Sequence, residues 1–554
     1  MKHLIFILSV IFCFVLSLNS CASVKPADSV APQPVFTHQD SVNEEIKNIN
    51  LIKESDLVKA FWKSYILKNN SEGFNDAQDN FNEILEECKK KFNLLLNSEE
   101  EKNYLEAFKF ALSINAVDST FAVPSNLEML KKQAVPGLNN GITFLENKKV
   151  SQFINGTVTV LVDKGIKIKN GIGSADSVLG SGFFISKNGY IITNYHVVAD
   201  CVDPKYEGLS RLYIKLANDE DTRIPAKVIG WDEVLDLALL KTEVDAPYVF
   251  NLGSSESLDV GDTVFAIGSP LGLERTLTRG IISAKDRKLF TCGNVFQLDA
   301  AVNSGNSGGP VIDSAGNVQA IVFAGVQNHQ GLNFAIPVEY LKAQLPVLYN
   351  NSKGGKLVHP WIGAYGKTEK TVGVNAKNAG VKIFYLMPGG SGFCAGLKED
   401  QIIVGLNGKN IYSLEDLQRG LMEFQNGTIV KFNIKNSDGT FQTIPVFLED
   451  RPKNPGYEFY THDLLCNSFY PLFGMKLTSV SDVSKKKFVV SKVMKGSAAE
   501  EYGLSVQDPV VIFKTDFNNE KTILAVNVYT KKQKNGYIDV NVLLTAMLDS
   551  PYIF

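Results

Sequence analysis

The stretch Gly180–Val198, GSGFFISKNGYIITNYHVV, decides the fold. Phe183–Ser186 and Tyr190–Thr193 are short apolar runs, and Asn188-Gly189 between them is a hairpin signal. GTVTVLV from Gly156 and GDTVFAIGSP from Gly261 repeat the texture. β-branched runs punctuated by Gly and Asn, without helical periods between them, predict an all-β barrel or sandwich beginning after Val150. It closes near Phe334–Leu348, FAIPVEYLKAQLPVL, where a short helix is expected.

Of the six histidines, His196 sits at the end of an apolar strand, where its ring would lie on a barrel wall with one edge open. A lone histidine there is more often structural than catalytic, so its company matters. In WDEVLDLALLKTE, Asp236 stands between apolar residues, and burying an ionised carboxylate is costly without a donor such as an imidazole N–H. In SGNSGGP, Ser307 lies among glycines that enter conformations barred to other residues, so its N–H and that of Gly305 can share one concavity. A phosphate cradle would need Lys-Ser/Thr or a strand-turn-helix context after the last Gly, but Pro310 and Val311 follow. An ordinary turn explains the loop locally. It does not explain the order His, Asp, Ser in one β-rich region, which is that of the chymotrypsin-type triad.

Residues from about Val150 to Leu348 resemble the trypsin-like protease domain of the HtrA/Deg family. The likeness rests on GSGFFISKNGYIITNYHVV, DLALLK, GDTVFAIGSPLGLERTLTRGIIS, LDAAVNSGNSGGPVID and GLNFAIP, in that order. It implies His196 as general base, Asp236 as its orienting partner and Ser307 as nucleophile. The backbone N–H groups of Gly305 and Ser307 are the natural donors for the oxyanion. Ser304 stands where many members carry Pro. The strand and loop Ala320–Pro337 would shape the primary specificity pocket; with no acidic residue in it, small or aliphatic side chains are expected, and His329 is read as a solvated loop histidine.

The chain of 554 residues is too long for one core. A formal charge of −3 without a basic block gives no reason to expect nucleic acid. The N-terminus has Lys2, an apolar run from Leu4 to Leu18 and then small residues, the anatomy of a secretory signal. The run is shorter than the roughly 20 residues of a membrane-spanning helix. Leu18–Cys21, LNSC, resembles the lipobox of bacterial lipoproteins, which implies an acylated Cys21 and a membrane tether. Cys88, Cys201, Cys292, Cys394 and Cys466 are an odd, widely spaced set that describes neither a disulfide scaffold nor a zinc site, and idle thiols are favoured over a Cys201–Cys292 bond.

Between the tether and the β-rich region, apolar residues such as Leu57, Phe61, Tyr65, Phe81, Leu85, Cys88, Phe92, Leu105, Phe108 and Leu112 recur at helical spacing. Helices packed on one another are expected there, as a spacer or as a recognition module. After the protease-like region, WIGAYG and PGGSGFCAGLKEDQIIVGLNGKNI resemble a bacterial PDZ domain. Trp361, Ile362, Gly363 and Ala364 match the loop that captures a peptide carboxylate. Asp400-Gln401 replaces the family's Gly-Asp turn. A second unit has LFGM, Leu472, Phe473, Gly474 and Met475, as its loop, and GSAAEEYGLSVQD as the turn entering its helix.

The expected architecture is an N-terminal α-helical segment, an all-β chymotrypsin-like double β-barrel protease domain and two α+β PDZ domains. The expected bounds are 1–20 for the lipoprotein signal, 21–40 for a tether, 41–125 for the helices, 145–350 for the protease, and 357–450 and 464–554 for the PDZ domains. The expected function is ATP-independent, cofactor- and metal-free serine endopeptidase action on misfolded envelope proteins at the periplasmic side. Peptide C termini are expected at the PDZ domains, and a homotrimer or larger assembly follows from the resemblance. The rival reading is a non-cleaving chaperone or peptide-binding scaffold with a latent active site.

Overall fold

The computed structural model describes residues 36–97, 102–122, 124–135, 150–203, 210–269, 276–289, 293–303, 305–325, 332–350, 356–371, 377–463, 467–480, 487–533 and 537–554. The signal and residues 21–35 of the tether, with Cys21, and also Cys292, Ser304, His329 and Cys466, lie outside them, and the helices begin at Gln39, inside the expected tether.

The first described elements are helices α1 (Gln39–Lys53), α2 (Leu57–Asn70), α3 (Asn75–Leu96), α4 (Lys102–Val117) and α5 (Pro124–Gln133). Asp56 caps α2 by accepting from the Lys59 N–H at 2.9 Å. The apolar faces meet in a core containing Phe61, Phe81, Ile84 and Cys88, with Phe61 and Phe81 stacked at 5.6 Å. This core is continuous with that of the domain after the protease. Trp62 stacks on Phe447 at 5.7 Å and donates its indole N–H to the Pro445 carbonyl at 3.2 Å.

The protease region follows. Strands β1 (Thr157–Lys169), β2 (Ile172–Phe184), β3 (Tyr190–Thr193), β4 (Arg211–Leu216), β5 (Asp219–Asp232) and β6 (Leu237–Thr242) close a barrel in the order β1-β2-β3-β6-β5-β4. Helix α6 (Tyr195–Val202) leaves β3. Strands β7 (Asn251–Leu252), β8 (Thr263–Gly268), β9 (Thr276–Arg287), β10 (Val295–Leu298), β11 (Pro310–Ile312), β12 (Asn317–Gly325) and β13 (Asn333–Pro337) form the second sheet, in which β11 also pairs with β12. Helix α7 (Val338–Asn350) ends the region. The period of two along a strand divides its side chains between two cores. Phe184 and Ile191 fill the first barrel with Val158, Val160 and Leu240, while Phe183 and Ile192 face Ile267, Ile312 and Ile336 of the second.

Two further β-rich domains complete the chain. The first has β14 (Pro360–Trp361), β15 (Ala364–Lys370), β16 (Asn378–Leu386), α8 (Ser391–Cys394), β17 (Ile402–Leu406), β18 (Lys409–Asn410), α9 (Leu414–Met422), β19 (Ile429–Lys435), β20 (Phe441–Phe447) and β21 (Glu449–Asp450). Ser413 and Asp416 form a capping box that starts α9. Helix α10 (Pro455–His462) connects the two domains and lays Phe459 against Trp361 and Tyr385. The last domain contains α11 (Phe469–Phe473), β22 (Met475–Ser479), β23 (Lys487–Val493), α12 (Ala498–Glu501), β24 (Pro509–Phe517), β25 (Ile523–Gln533) and β26 (Tyr537–Met547), whose strands form one antiparallel sheet in sequence order.

Candidate active site

β3 ends at Thr193, and Asn194 turns the chain into α6, so His196 stands in the first turn of a helix rather than on a strand. Both oxygens of one carboxylate hold it. The His196 backbone N–H donates to Asp236 Oδ1 at 2.8 Å, and His196 Nδ1 faces Asp236 Oδ2 at 2.7 Å. In the neutral ring the nitrogen facing the carboxylate carries the proton, which leaves Nε2 its lone pair. Asp236 adopts φ 54°, a left-handed conformation uncommon outside glycine. Its carbonyl accepts from the Tyr195 N–H at 3.2 Å and from Asn194 Nδ2 at 2.8 Å. The strained turn is therefore fixed from the histidine's side. Burial and the Glu233 carboxylate, 3.2 Å from its hydroxyl, push the Tyr195 phenol up to about 12, so it stays protonated at neutral pH.

Ser307 is presented by a loop stitched to β2. Ser181 N–H donates to the Ser307 carbonyl at 2.7 Å, and Ser181 Oγ donates to the Gly305 carbonyl at 2.7 Å. Gly308 has φ 86°, and a Cβ there would meet the Ser181 carbonyl at 2.2 Å, so the approach requires glycine. The Gly305 and Ser307 N–H groups have no backbone acceptor among the described residues. Ser307 Oγ donates to the Phe323 carbonyl at 3.3 Å, and among the described residues it has no hydrogen bond with His196. The structure thus joins His196 to Asp236 and holds Ser307 on a braced loop with its hydroxyl turned toward β12. Ser181 and Asn194 were not singled out from sequence; the GSG at Gly180–Gly182, mirrored by the GNSGG that it clamps, was the available signal for Ser181.

A second histidine–aspartate pair lies elsewhere. His359 Nε2 is 3.0 Å from Asp232 Oδ1, with both side chains buried. The same oxygen accepts from Val234 N–H at 2.9 Å and Leu235 N–H at 3.1 Å, in the turn that leads to Asp236. This pair joins the protease region to the start of the next domain. Leu357 N–H donates to the Trp231 carbonyl beside it, at 2.8 Å.

In the first C-terminal domain Trp361, Ile362 and Ala364 are buried and Gly363 has φ 75°. The Ala364 N–H donates to the Phe554 backbone oxygen at 2.9 Å. In the second, Leu472 and Phe473 end α11, Gly474 has φ 81° and Met475 opens β22. Cys201 is a half-buried free thiol, pushed up to about 11 by burial and by Asp200.

Comparison with known proteins bears on this arrangement. A family described as trypsin-like peptidase domain matches residues 180–321, a TP0546 family PDZ domain matches 456–548, and a domain of unknown function matches 40–134. The chain is 32% identical to a "Probable periplasmic serine endoprotease DegP-like" of Pseudomonas fulva over 66% of its own length and 76% of the relative. The chain belongs to the HtrA/Deg family of serine proteases. A second DegP-like relative, from a Marinomonas species, is 32% identical over 65% of this chain and 74% of its own. A solved HtrA-type protease, AlgW with decapeptide, covers 55% of this chain and 98% of its own at 23% identity, with a TM-score of 0.43. This HtrA protein is a trypsin-like serine endopeptidase, and its substrates are proteins.

Proposed function

We propose that this HtrA protein cleaves misfolded or damaged proteins of the cell envelope, with Ser307 as nucleophile, His196 as general base and Asp236 orienting the imidazole. The observation that carries the reading is the double hold of Asp236 on His196, which fixes the tautomer whose Nε2 can take a proton. Rotation of Ser307 about its Cα–Cβ bond swings Oγ from the Phe323 carbonyl toward that nitrogen. Ser307 then attacks the peptide carbonyl, His196 passes the proton to the leaving amine, and water repeats the cycle on the acyl-enzyme. The N–H groups of Gly305 and Ser307 receive the oxyanion, at roughly 2.7–4 kcal/mol of barrier per donor lost. The chemistry needs neither ATP nor a cofactor. The first PDZ-like domain captures extended peptide segments at Trp361–Ala364 by strand addition. By likeness to its periplasmic relatives the protein is exported to the periplasmic side; the LNSC motif supports a lipid on Cys21, and the family resemblance an assembly of three or more copies.

The hydrogen bond from Ser307 to Phe323 favours a second reading, a chaperone that holds unfolded proteins over a latent site. A fluorophosphonate probe separates the two. Labelling at Ser307 with casein cleavage, both lost in Ser307→Ala, supports the protease. No labelling and intact casein after long incubation would overturn the protease.

A further inference from the structure

The last four residues of this sequence, Pro551-Tyr552-Ile553-Phe554, lie along the outer edge of β15 as an added antiparallel strand. Ala364 and Phe554 exchange both backbone hydrogen bonds, each 2.9 Å, and the Gly366 N–H donates to the Tyr552 carbonyl at 3.0 Å. Tyr365 and Ile553 are paired antiparallel. From the opposite side of the channel, Gln418 on α9 donates to the Pro551 carbonyl at 2.7 Å. The segment therefore lies between β15 and α9.

Its side chains are placed as a ligand's would be. Phe554 is 3% exposed and joins the apolar cluster of Ile362, Ile383, Leu417 and Leu421. Ile553, on the other face, is 1% exposed among Trp361, Tyr385, Phe459 and Met494. Tyr552 packs its ring 5.9 Å from Tyr365, under the ammonium groups of Lys367 and Lys288. Strand addition supplies affinity through backbone bonds, and alternate side-chain pockets supply selectivity. Both requirements are met by the chain itself.

We propose that residues Pro551–Phe554 are the resident ligand of the first PDZ-like domain, and that an incoming peptide with an aromatic-apolar-aromatic end, such as Tyr-Ile-Phe, binds only by displacing them. This rests on the reading of Trp361–Ala364 as a peptide-capturing loop. Because the segment is tethered, it competes at an effective concentration of about millimolar or above. A free peptide of about 10–100 μM intrinsic affinity is then weakened about 10- to 100-fold in the intact chain.

The test compares the full chain, a chain ending at Ser550, and full-length Phe554→Asp, which keeps the length but puts a carboxylate into the apolar pocket. Circular dichroism checks that each is folded. Hydrogen exchange over residues 362–368 reports occupancy directly, since the Ala364 and Gly366 amides donate to the segment. At least tenfold faster exchange in both variants is expected; unchanged exchange overturns the resident ligand. Fluorescence polarisation with a labelled Asp-Ser-Pro-Tyr-Ile-Phe peptide reports competition. At least tenfold tighter binding to both variants than to the full chain is expected. Equal binding to all three overturns self-competition while leaving peptide capture standing. Faster exchange with no peptide binding to any form overturns peptide capture and makes the segment a structural strand only.

Discussion

The two PDZ-like domains share a frame and differ in one wall. In each, a glycine at positive φ leads into a strand, β15 or β22, and its carbonyl accepts from a methionine N–H at 2.7 Å: Gly363 from Met387, Gly474 from Met494. Each also has a turn with a non-glycine residue at positive φ, Asp400 at 67° and Gln507 at 74°. The next side chain closes that turn by accepting a backbone N–H at 2.8 Å, Gln401 from Lys398 and Asp508 from Ser505. Asp400-Gln401 thus does the work of the expected Gly-Asp with other side chains. The domains part where the first places α9. In the second, β24 passes to β25 through a turn at 518–522. A carboxylate-loop pattern alone therefore does not make a groove; the helix supplies the second side, and only the first domain holds a segment against its loop and such a helix among the described residues.

The largest difference lies in anchoring. The first domain is joined to the protease by the buried His359–Asp232 pair, and removing one partner of such a pair costs about 3–5 kcal/mol. His359→Ala is expected to lower the urea midpoint of the protease and first PDZ-like domains together, and to leave slow exchange in β25 and β26 unchanged. Coincident loss in all domains would show that the anchoring is not local.

The two loop glycines should respond unequally. A Cβ on Gly474 would lie 2.1 Å from Ser497 Cβ, whereas one on Gly363 would have Met387 Cβ at 3.4 Å as its nearest neighbour. Gly363→Ala meets left-handed strain alone, about 1–2 kcal/mol. Gly474→Ala adds overpacking, for about 2–5 kcal/mol in all. Domain-resolved hydrogen exchange of β16 and β23 measures both; equal effects would contradict the packing difference.

Acid should loosen the contact between the helical segment and the first domain. Burial acts to raise the Glu423 carboxyl, but Lys131 of α5, at 3.4 Å, and Lys409, at 2.7 Å, outweigh it and hold it below its ordinary value. A lowered folded value gives stability that is present above the ordinary 4.5 and lost as pH falls through the lowered value. Because Lys409 is largely exposed, the loss is about 0.5–1 kcal/mol. Unfolding of Glu423→Gln between pH 6 and 3 should lack this component.

The smallest effect concerns the positive-φ turns. Gln507→Gly is expected to stabilise the second domain by about 0.5–1 kcal/mol by relieving left-handed strain. Asp400→Gly should gain less, because it also loses the ion pair to Lys382 at 3.0 Å. Thermal midpoints of the two variants check the ranking.

What the sequence revealed was what local pattern encodes. The alternating runs around Gly180–Val198 are short-range signals, and they were enough to suggest an all-β barrel or sandwich; the double barrel was implied by the family resemblance. The placement of His196 on α6 was missed because the apolar run continues through Val197 and Val198, which read as strand although Asn194 begins a helix. Ser181 escaped notice because its partners, Gly305 and Ser307, lie more than a hundred residues away. The same holds for His359 with Asp232 and for Phe554 with Ala364. Contacts of that range leave no period in the chain, and PYIF on its own is an unremarkable tail.

The bond between Ser307 Oγ and Phe323 sets a limit on control. A hydrogen bond to a backbone carbonyl is worth about 1 kcal/mol net, so it can depress the proposed attacking rotamer of Ser307 only about five- to tenfold. Any signal acting through that bond alone works as a trimmer with a narrow dynamic range. A protease that must be silent until summoned needs a deeper off-state, and its extra depth has to come from the loop itself rather than from the hydroxyl that the loop carries.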